Sequence, residues 1–142
     1  MAGYRNLDKV EIQTLEATRC SAENWAQVKV ADGFDASRVR NVAFHGEVRI
    51  GALAGMVSLN GVELPSGIAD ATLVSCDLGD NVRVTSVKGY IANYSIGAGA
   101  VVCDIGEMVT RRGATFGNGV EIEAMNEGGG RGIRMFNELS SQ

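Results

Sequence analysis

Bulky apolar residues recur every six positions across the middle of this chain. Neither an α-helix, with a period of 3.6, nor a half-buried strand, with a period of 2, produces this spacing. It is typical of a β-solenoid, in which short strands joined by tight corners each send one large side chain inward. The spacing of six is broken once, by a step of four after the sixth residue of the series: Phe44, Ile50, Met56, Val62, Ile68, Val74, Leu78, Val84, Tyr90, Ile96 and Val102.

The same spacing predicts which residues lie above one another. If three hexads make one coil, residue i stacks on residue i+18, at the distance between neighbouring strands. Large apolar residues do recur at that separation. The predicted stacked pairs are Phe44 with Val62, Ile50 with Ile68, Met56 with Val74, Leu78 with Ile96, and Val84 with Val102.

One segment favours a different structure. Asn60-Gly61, flanked by alternating apolar residues, is typical of a two-residue type I′ β-hairpin. Several such hairpins would form a sandwich or barrel. Asn-Gly also suits a solenoid corner, so this alternative stays open, although a sandwich gives no reason for the hexad spacing.

The first forty residues do not share the rhythm. Asp8 to Arg19 is predicted to be a short amphipathic helix, with Asp8 as N-cap and Glu11 close to completing a capping box. We therefore expect a helical cap over residues 1–40 that covers the open end of a solenoid at residues 41–125. A Gly-rich tail is expected at residues 126–142.

Composition narrows the classes of function. The net charge is −4 and the basic residues are dispersed, which disfavours nucleic-acid binding. No apolar run is long enough to span a membrane, and the N-terminus lacks the apolar stretch of a signal peptide. The three cysteines, Cys20, Cys76 and Cys103, lack CxxC spacing, and the chain contains one His. Neither a disulfide framework nor a metal site is therefore predicted. We expect buried thiols in a cytoplasmic protein.

Four of the hexads carry a family resemblance. IGALAG, VSCDLG, IGAGAV and IGEMVT resemble the hexapeptide repeat of left-handed parallel β-helix proteins, a superfamily that includes acyltransferases. The resemblance implies an all-β fold, a single-stranded left-handed parallel β-helix with a short helical N-terminal cap, and a homo-oligomer, as a trimer. Members use a His between subunits as the general base, and a residue with a pKa near neutrality suits that task. His45 is the sole candidate for this catalytic role.

A second resemblance covers most of the chain. Tyr4-Arg5-Asn6-Leu7, the Cys20/Trp25 segment, residues 39–51 and the closing stretch from Asn126 to Gln142 are similar to the start of a long uncharacterised bacterial family. That family is sometimes labelled as related to UDP-N-acetylglucosamine pyrophosphorylase. The resemblance implies a nucleotide sugar or a sugar phosphate as ligand.

The glycine-rich segment near the C-terminus is the second candidate site. Gly128, Gly129 and Gly130 can expose backbone N–H groups as an anion-binding nest, with Arg131 and Arg134 supplying charge. The segment matches neither the P-loop nor the dinucleotide-binding fingerprint. The competing interpretation is an exit loop for the chain.

Two functions follow from these observations. The first is a transferase-type protein that acts on a nucleotide sugar, a sugar phosphate or an acyl-CoA through His45 or residues 127–134. The second is a non-catalytic assembly module whose chemistry is carried elsewhere in a larger protein. The sequence identifies no cofactor, and fold resemblance alone does not decide between the two functions.

Overall fold

The structure is a computed structural model that describes residues 3–111, 113–114, 121–123 and 132–134. The chain divides into two compact units, residues 1–110 and 111–142. In the first unit the elements are β1 (Tyr4–Asn6), α1 (Lys9–Ala17), β2 (Ser21–Ala22), a 3-10 turn (Trp25–Gln27), β3 (Val28–Ala31), a second 3-10 turn (Ala36–Arg38), β4 (Val39–His45), β5 (Val48–Ile50), β6 (Met56–Leu59), β7 (Val62–Pro65), β8 (Gly67–Val74), β9 (Asp77–Leu78), β10 (Arg83–Val87), β11 (Ile91–Ala92), β12 (Ser95–Ile96), β13 (Val101–Ile105) and β14 (Met108–Val109). In the second unit, β15 (Glu121–Glu123) pairs antiparallel with β16 (Gly132–Arg134).

Two large sheets and the two-stranded β6–β7 sheet build the first unit. The five-stranded sheet has the order β1-β3-β5-β9-β12, with β1 antiparallel to β3 and the other pairs parallel. In the seven-stranded sheet every pair is parallel, and β8 is its centre. On one side β8 pairs with β4, which in turn pairs with β2. On the other side it pairs with β10 and β11, which continue to β13 and β14.

Inward side chains of both sheets share one apolar core. Val30 and Ile50 from the five-stranded sheet and Ile68 and Val84 from the seven-stranded sheet are fully buried within it. Leu15 of α1 belongs to the same core. Burial of apolar surface is therefore what holds the helix and the two sheets together.

The long strands keep their apolar side chains inward by means of one left-handed residue each. In β4, Val39, Val42 and Phe44 are buried, a spacing of three and then two. The extra residue, Asn41, has a φ of 50°, and the ladder skips it. Asn and Asp tolerate this conformation better than most residues. The equivalent residues of the neighbouring strands are Asp70 (φ 52°), Ser86 (φ 56°) and Asp104 (φ 52°).

The predicted N-terminal helix is confirmed. α1 spans Lys9–Ala17, and its capping box is complete. Asp8 Oδ1 accepts a hydrogen bond from Glu11 N at 2.8 Å, and Glu11 Oε2 accepts one from Asp8 N at 2.9 Å. Among the described residues, no helix is both long and apolar enough to cross a membrane.

The predicted fold class, a single left-handed parallel β-helix with a helical cap, is wrong. The strands are distributed over several sheets with both parallel and antiparallel pairing. In addition to α1, the first forty residues contribute three whole strands and the start of β4 to these sheets. The alternative local structure, a hairpin at Asn60-Gly61, is the one observed, since β6 and β7 pair antiparallel around those two residues.

This hairpin is the physical reason for the error. Asn60 and Gly61 have φ values of 52° and 79°, as a type I′ turn requires, so the chain reverses there. Met56 and Val62, two members of the hexad series, lie on the hairpin and are 53% and 56% exposed. The hexad spacing therefore continues through a segment that adds almost nothing to the core.

The predicted stacking is wrong for the strands that precede the hairpin and correct for strands that follow it. Phe44 lies opposite Leu73 rather than Val62, and Ile50 lies opposite Leu78 rather than Ile68. Beyond the hairpin, two of the predicted pairs are confirmed: Leu78 with Ile96, and Val84 with Val102. The 18-residue separation is thus a property of these later strands only.

Candidate functional site

His45, the predicted catalytic residue, ends β4 and is partly exposed. Its Nδ1 lies 3.0 Å from Oε1 of Glu23, which precedes the first 3-10 turn. The adjacent Phe44 is buried and packs against Trp25, with ring centroids 6.1 Å apart. The backbone around the imidazole is thereby held by the core, while the imidazole itself remains accessible. His45 lines none of the three clefts described below.

The predicted ligand-binding segment gives less structural information. Gly128, Gly129, Gly130 and Arg131 lie outside the described residues. Arg134 ends β16, with its Cα opposite that of Glu121. Ligand binding by these residues stays a prediction.

Two of the three cysteines are buried, as predicted. Burial raises the pKa of the Cys20 and Cys76 thiols, so both are held as neutral, unreactive groups. Cys103 is exposed, which contradicts the prediction for that residue. Within the described part of the chain, no group of three or more His, Cys, Asp or Glu side chains is arranged to hold a metal ion.

Three adjoining clefts lie along β4, β8 and β10, and we call them together the arginine groove. The first cleft has a volume of about 350 Å³, the second about 330 Å³ and the third about 260 Å³. Arg40 lines both the first and the second, and Asn41 and Asp70 line both the first and the third. The charged side chains that line the groove are five cations and one carboxylate: Arg19, Arg38, Arg40, Arg83, Lys88 and Asp70. This surface is basic on a chain whose net charge is −4.

Strand register explains how the groove forms. Arg40 of β4 lies opposite Ala69 of β8, and Ala69 lies opposite Thr85 of β10. With about 4.8 Å between strands, Arg40 and Thr85 are about 10 Å apart. Arg83 lies two residues before Thr85, opposite Gly67. Gly67 and Ala69 thus lie between the two arginines and form the buried floor of the second cleft.

The arginines of the groove differ in their hydrogen bonds. Arg38 Nη1 donates to the carbonyl oxygen of Gly55 at 2.9 Å and to the carbonyl and hydroxyl oxygens of Ser66 at 3.3 and 3.2 Å. Its Nε lies 3.7 Å from Oδ2 of Asp35, whose pKa is lowered by hydrogen bonding from Ser37. Arg38 is therefore committed to holding the base of the β6–β7 hairpin.

Arg83 and Arg40 keep donors available. Arg83 Nη1 donates one hydrogen bond, to the carbonyl oxygen of Pro65 at 2.7 Å. Among the described residues, the guanidinium groups of Arg40 and Arg19 have no hydrogen-bond or ion-pair partner, and both residues are exposed. A guanidinium presents five N–H donors, so the groove offers many donors to an anionic ligand.

Sequence reasoning missed this site. Arg40 and Arg83 are far apart in the chain and look like ordinary outward-facing strand residues beside Val39 and Val84. Their proximity depends on the register of both strands with β8. One sequence signal could have pointed to the site. Asn41 and Asp70 are residue types that tolerate positive φ, and they directly follow Arg40 and Ala69 in their strands.

The chain resembles proteins that carry no functional description. Residues 4–142 match the model of a family described as a domain of unknown function (DUF4954). An uncharacterised protein of Treponema pallidum (strain Nichols) is 37% identical to this chain over an alignment of 145 residues. The alignment covers 94% of this chain and 20% of the relative. The chain therefore spans about a fifth of the length of that relative. No solved structure matches this chain.

Proposed function

The chain belongs to the family of the domain of unknown function DUF4954, and we propose that it is a binding module for a ligand that carries a phosphate group. The observation that carries the proposal is the position of Arg40 and Arg83 on either side of the small floor formed by Gly67 and Ala69. Guanidinium groups bind phosphate oxygens through paired, charge-assisted hydrogen bonds. A cleft of about 330 Å³ is within the size range of small-molecule sites.

The ligand classes expected from the sequence share this chemistry. A nucleotide sugar, a sugar phosphate and an acyl-CoA each carry phosphate or pyrophosphate groups. The resemblance to the pyrophosphorylase-related family makes a nucleotide sugar the first ligand to test. We place the protein in the cytoplasm, which is supported by three free cysteines. A trimeric assembly stays a prediction.

A thermal-shift panel tests the proposal. Inorganic phosphate, glucose 1-phosphate, UDP-N-acetylglucosamine and acetyl-CoA are added separately to the full chain. A ligand at about 100 times its Kd raises the free energy of unfolding by about 2.7 kcal/mol. We expect a shift with at least one phosphate ester, and a clearly smaller shift in the Arg40→Gln and Arg83→Gln variants.

The matched control is Arg49→Gln, which removes the same charge from the five-stranded sheet. Arg49 is paired with Glu47 at 2.6 Å and is not part of the groove. Its variant should respond to ligand as the wild type does. The proposal would be contradicted if Arg49→Gln reduced the ligand-induced thermal shift as much as the groove variants do, or if no ligand shifted the wild type.

A second function, acid–base transfer at His45, has one observation in its favour. The contact between Glu23 Oε1 and His45 Nδ1 can fix the orientation of the imidazole and leave Nε2 to exchange a proton. If transfer from a nucleotide sugar or acyl-CoA is detected, His45→Asn should abolish it and Glu23→Gln should reduce it. An unchanged rate in His45→Asn would contradict this role for His45.

A further inference from the structure

Asn41 and Asp70 form a polar pair at the centre of the arginine groove. Both are the left-handed residues of their strands, and both are exposed. Asn41 Nδ2 donates a hydrogen bond to Asp70 Oδ1 at 2.7 Å. The pair lines the first cleft together with Arg19 and Arg40, and the third cleft on its other side.

The pair has hydrogen-bonding capacity left over. An ionised carboxylate accepts at two oxygens, and among the described residues Asp70 uses one of them for Asn41. The Asn41 amide retains its carbonyl oxygen as an acceptor and its second N–H as a donor. Hydroxyl groups, which donate and accept, are well matched to these atoms.

The neighbouring charges decide what kind of ligand fits. Asp70 repels a bare anion, so inorganic phosphate or pyrophosphate gains nothing by extending toward it. A ligand with a phosphate at one end and hydroxyls at the other can satisfy both halves of the first cleft. We propose that Asn41 and Asp70 form the hydroxyl-recognition subsite for the sugar of a phosphorylated sugar whose phosphate is bound by Arg40. This inference rests on the proposed function.

Isothermal titration calorimetry with two probes tests this subsite. Glucose 1-phosphate carries hydroxyls, and pyrophosphate does not. We expect Asp70→Asn to weaken binding of glucose 1-phosphate by about tenfold, because the hydroxyls lose a charged acceptor. Pyrophosphate should bind Asp70→Asn as tightly as the wild type, or more tightly.

Two variants guard against misreading a folding defect. Asp32→Asn makes the same change at an exposed carboxylate directly after β3, outside the three clefts, and should bind both probes as the wild type does. Asn41→Gly keeps a residue that accepts positive φ and removes the amide, and it should weaken only the sugar phosphate.

The outcomes separate this inference from the proposed function. Suppose that the wild type binds both probes. If Asp70→Asn leaves both affinities unchanged, or lowers both by the same factor, the subsite is overturned and the phosphate site stands. If the wild type binds neither glucose 1-phosphate nor pyrophosphate, the subsite is overturned, and the thermal-shift panel with UDP-N-acetylglucosamine and acetyl-CoA decides the proposed function. If Asp70→Asn and Asn41→Gly each lower the affinity for glucose 1-phosphate and not that for pyrophosphate, the subsite is supported.

Discussion

Asn41 and Asp70 lie on neighbouring strands in the same left-handed conformation and are joined by a 2.7 Å hydrogen bond. Each is the extra residue that returns the following side chains of its strand to the core. The same two residues line two clefts of the arginine groove. A local requirement of the backbone thus places polar groups where a ligand can reach them.

Substitution of two nearby arginines should change the free energy of unfolding by different amounts. Arg38→Met should lower the free energy of unfolding by about 1–3 kcal/mol, because partly buried carbonyl oxygens of Gly55 and Ser66 lose a charged donor. Arg40→Met should change it by less than about 0.5 kcal/mol, since Arg40 is exposed and has no partner among the described residues. Urea unfolding followed by circular dichroism measures both. A large loss in Arg40→Met would mean that this arginine is structural rather than available to ligand.

Two glycines that follow large apolar residues provide a matched pair. A Cβ on Gly51 would lie 2.6 Å from the backbone N of Asp80 and from the carbonyl carbon of Gly79. Gly51→Ala should therefore cost about 1–3 kcal/mol of stability through overpacking against backbone. A Cβ on Gly97 meets no heavy atom of the described residues within 4 Å, so Gly97→Ala should be tolerated. Equal melting temperatures for the two variants would contradict the close packing of β5 on β9.

The Glu11 carboxylate makes stability depend on pH. Hydrogen bonds from Arg5 lower the pKa of Glu11, so its ionised form is favoured by folding. A depressed pKa contributes stability that is present above the unfolded value of about 4.3 and is lost as the pH falls through the lower folded value. Glu11→Gln should cost about 1 kcal/mol at pH 7, and the difference from wild type should shrink at pH 3. Urea unfolding at both pH values is the measurement. Glu63→Gln, on the exposed hairpin, is the control and should show no pH-dependent difference.

The β6–β7 hairpin should be dispensable for folding. Gly55 and Ser66 meet at its base, where Ser66 N donates to the carbonyl oxygen of Gly55 at 3.0 Å. Of the hairpin's apolar residues, Val57 alone is buried. Deleting residues 56–65 and joining Gly55 to Ser66 should leave a chain that unfolds cooperatively in urea. Loss of cooperative unfolding would show that the hairpin is part of the core.

The sequence predicted features whose causes are local. The Asp8–Glu11 capping box is the predicted one, and the Asn60-Gly61 hairpin is the alternative that the sequence leaves open. Each depends on a few adjacent residues, and both are present. The stacking of Leu78 on Ile96 was also predictable, because no insertion separates them. The predicted partner of Phe44 is wrong because the hairpin adds residues between the strands on either side of it and so shifts every pairing across it.

The candidate site was less predictable than the elements that carry it. Spacing along the chain cannot show that Arg40 and Arg83 flank Ala69, since that depends on two ladders that share β8. His45 was identified by its residue type, but its contact with Glu23 depends on how the N-terminal segment lies against β4. Chemistry that depends on register becomes visible only in the folded chain.

The most direct test of the phosphate site is a two-dimensional ¹H–¹⁵N NMR titration of the full chain with UDP-N-acetylglucosamine. We expect the amide signals of Gly67, Ala69 and Thr85 to shift with ligand, while those of Val30 and Ile50 in the other sheet do not. Shifts confined to His45 and Glu23, or to residues 128–134, would place the ligand elsewhere and contradict the arginine groove. An unchanged spectrum at saturating ligand would contradict it as well.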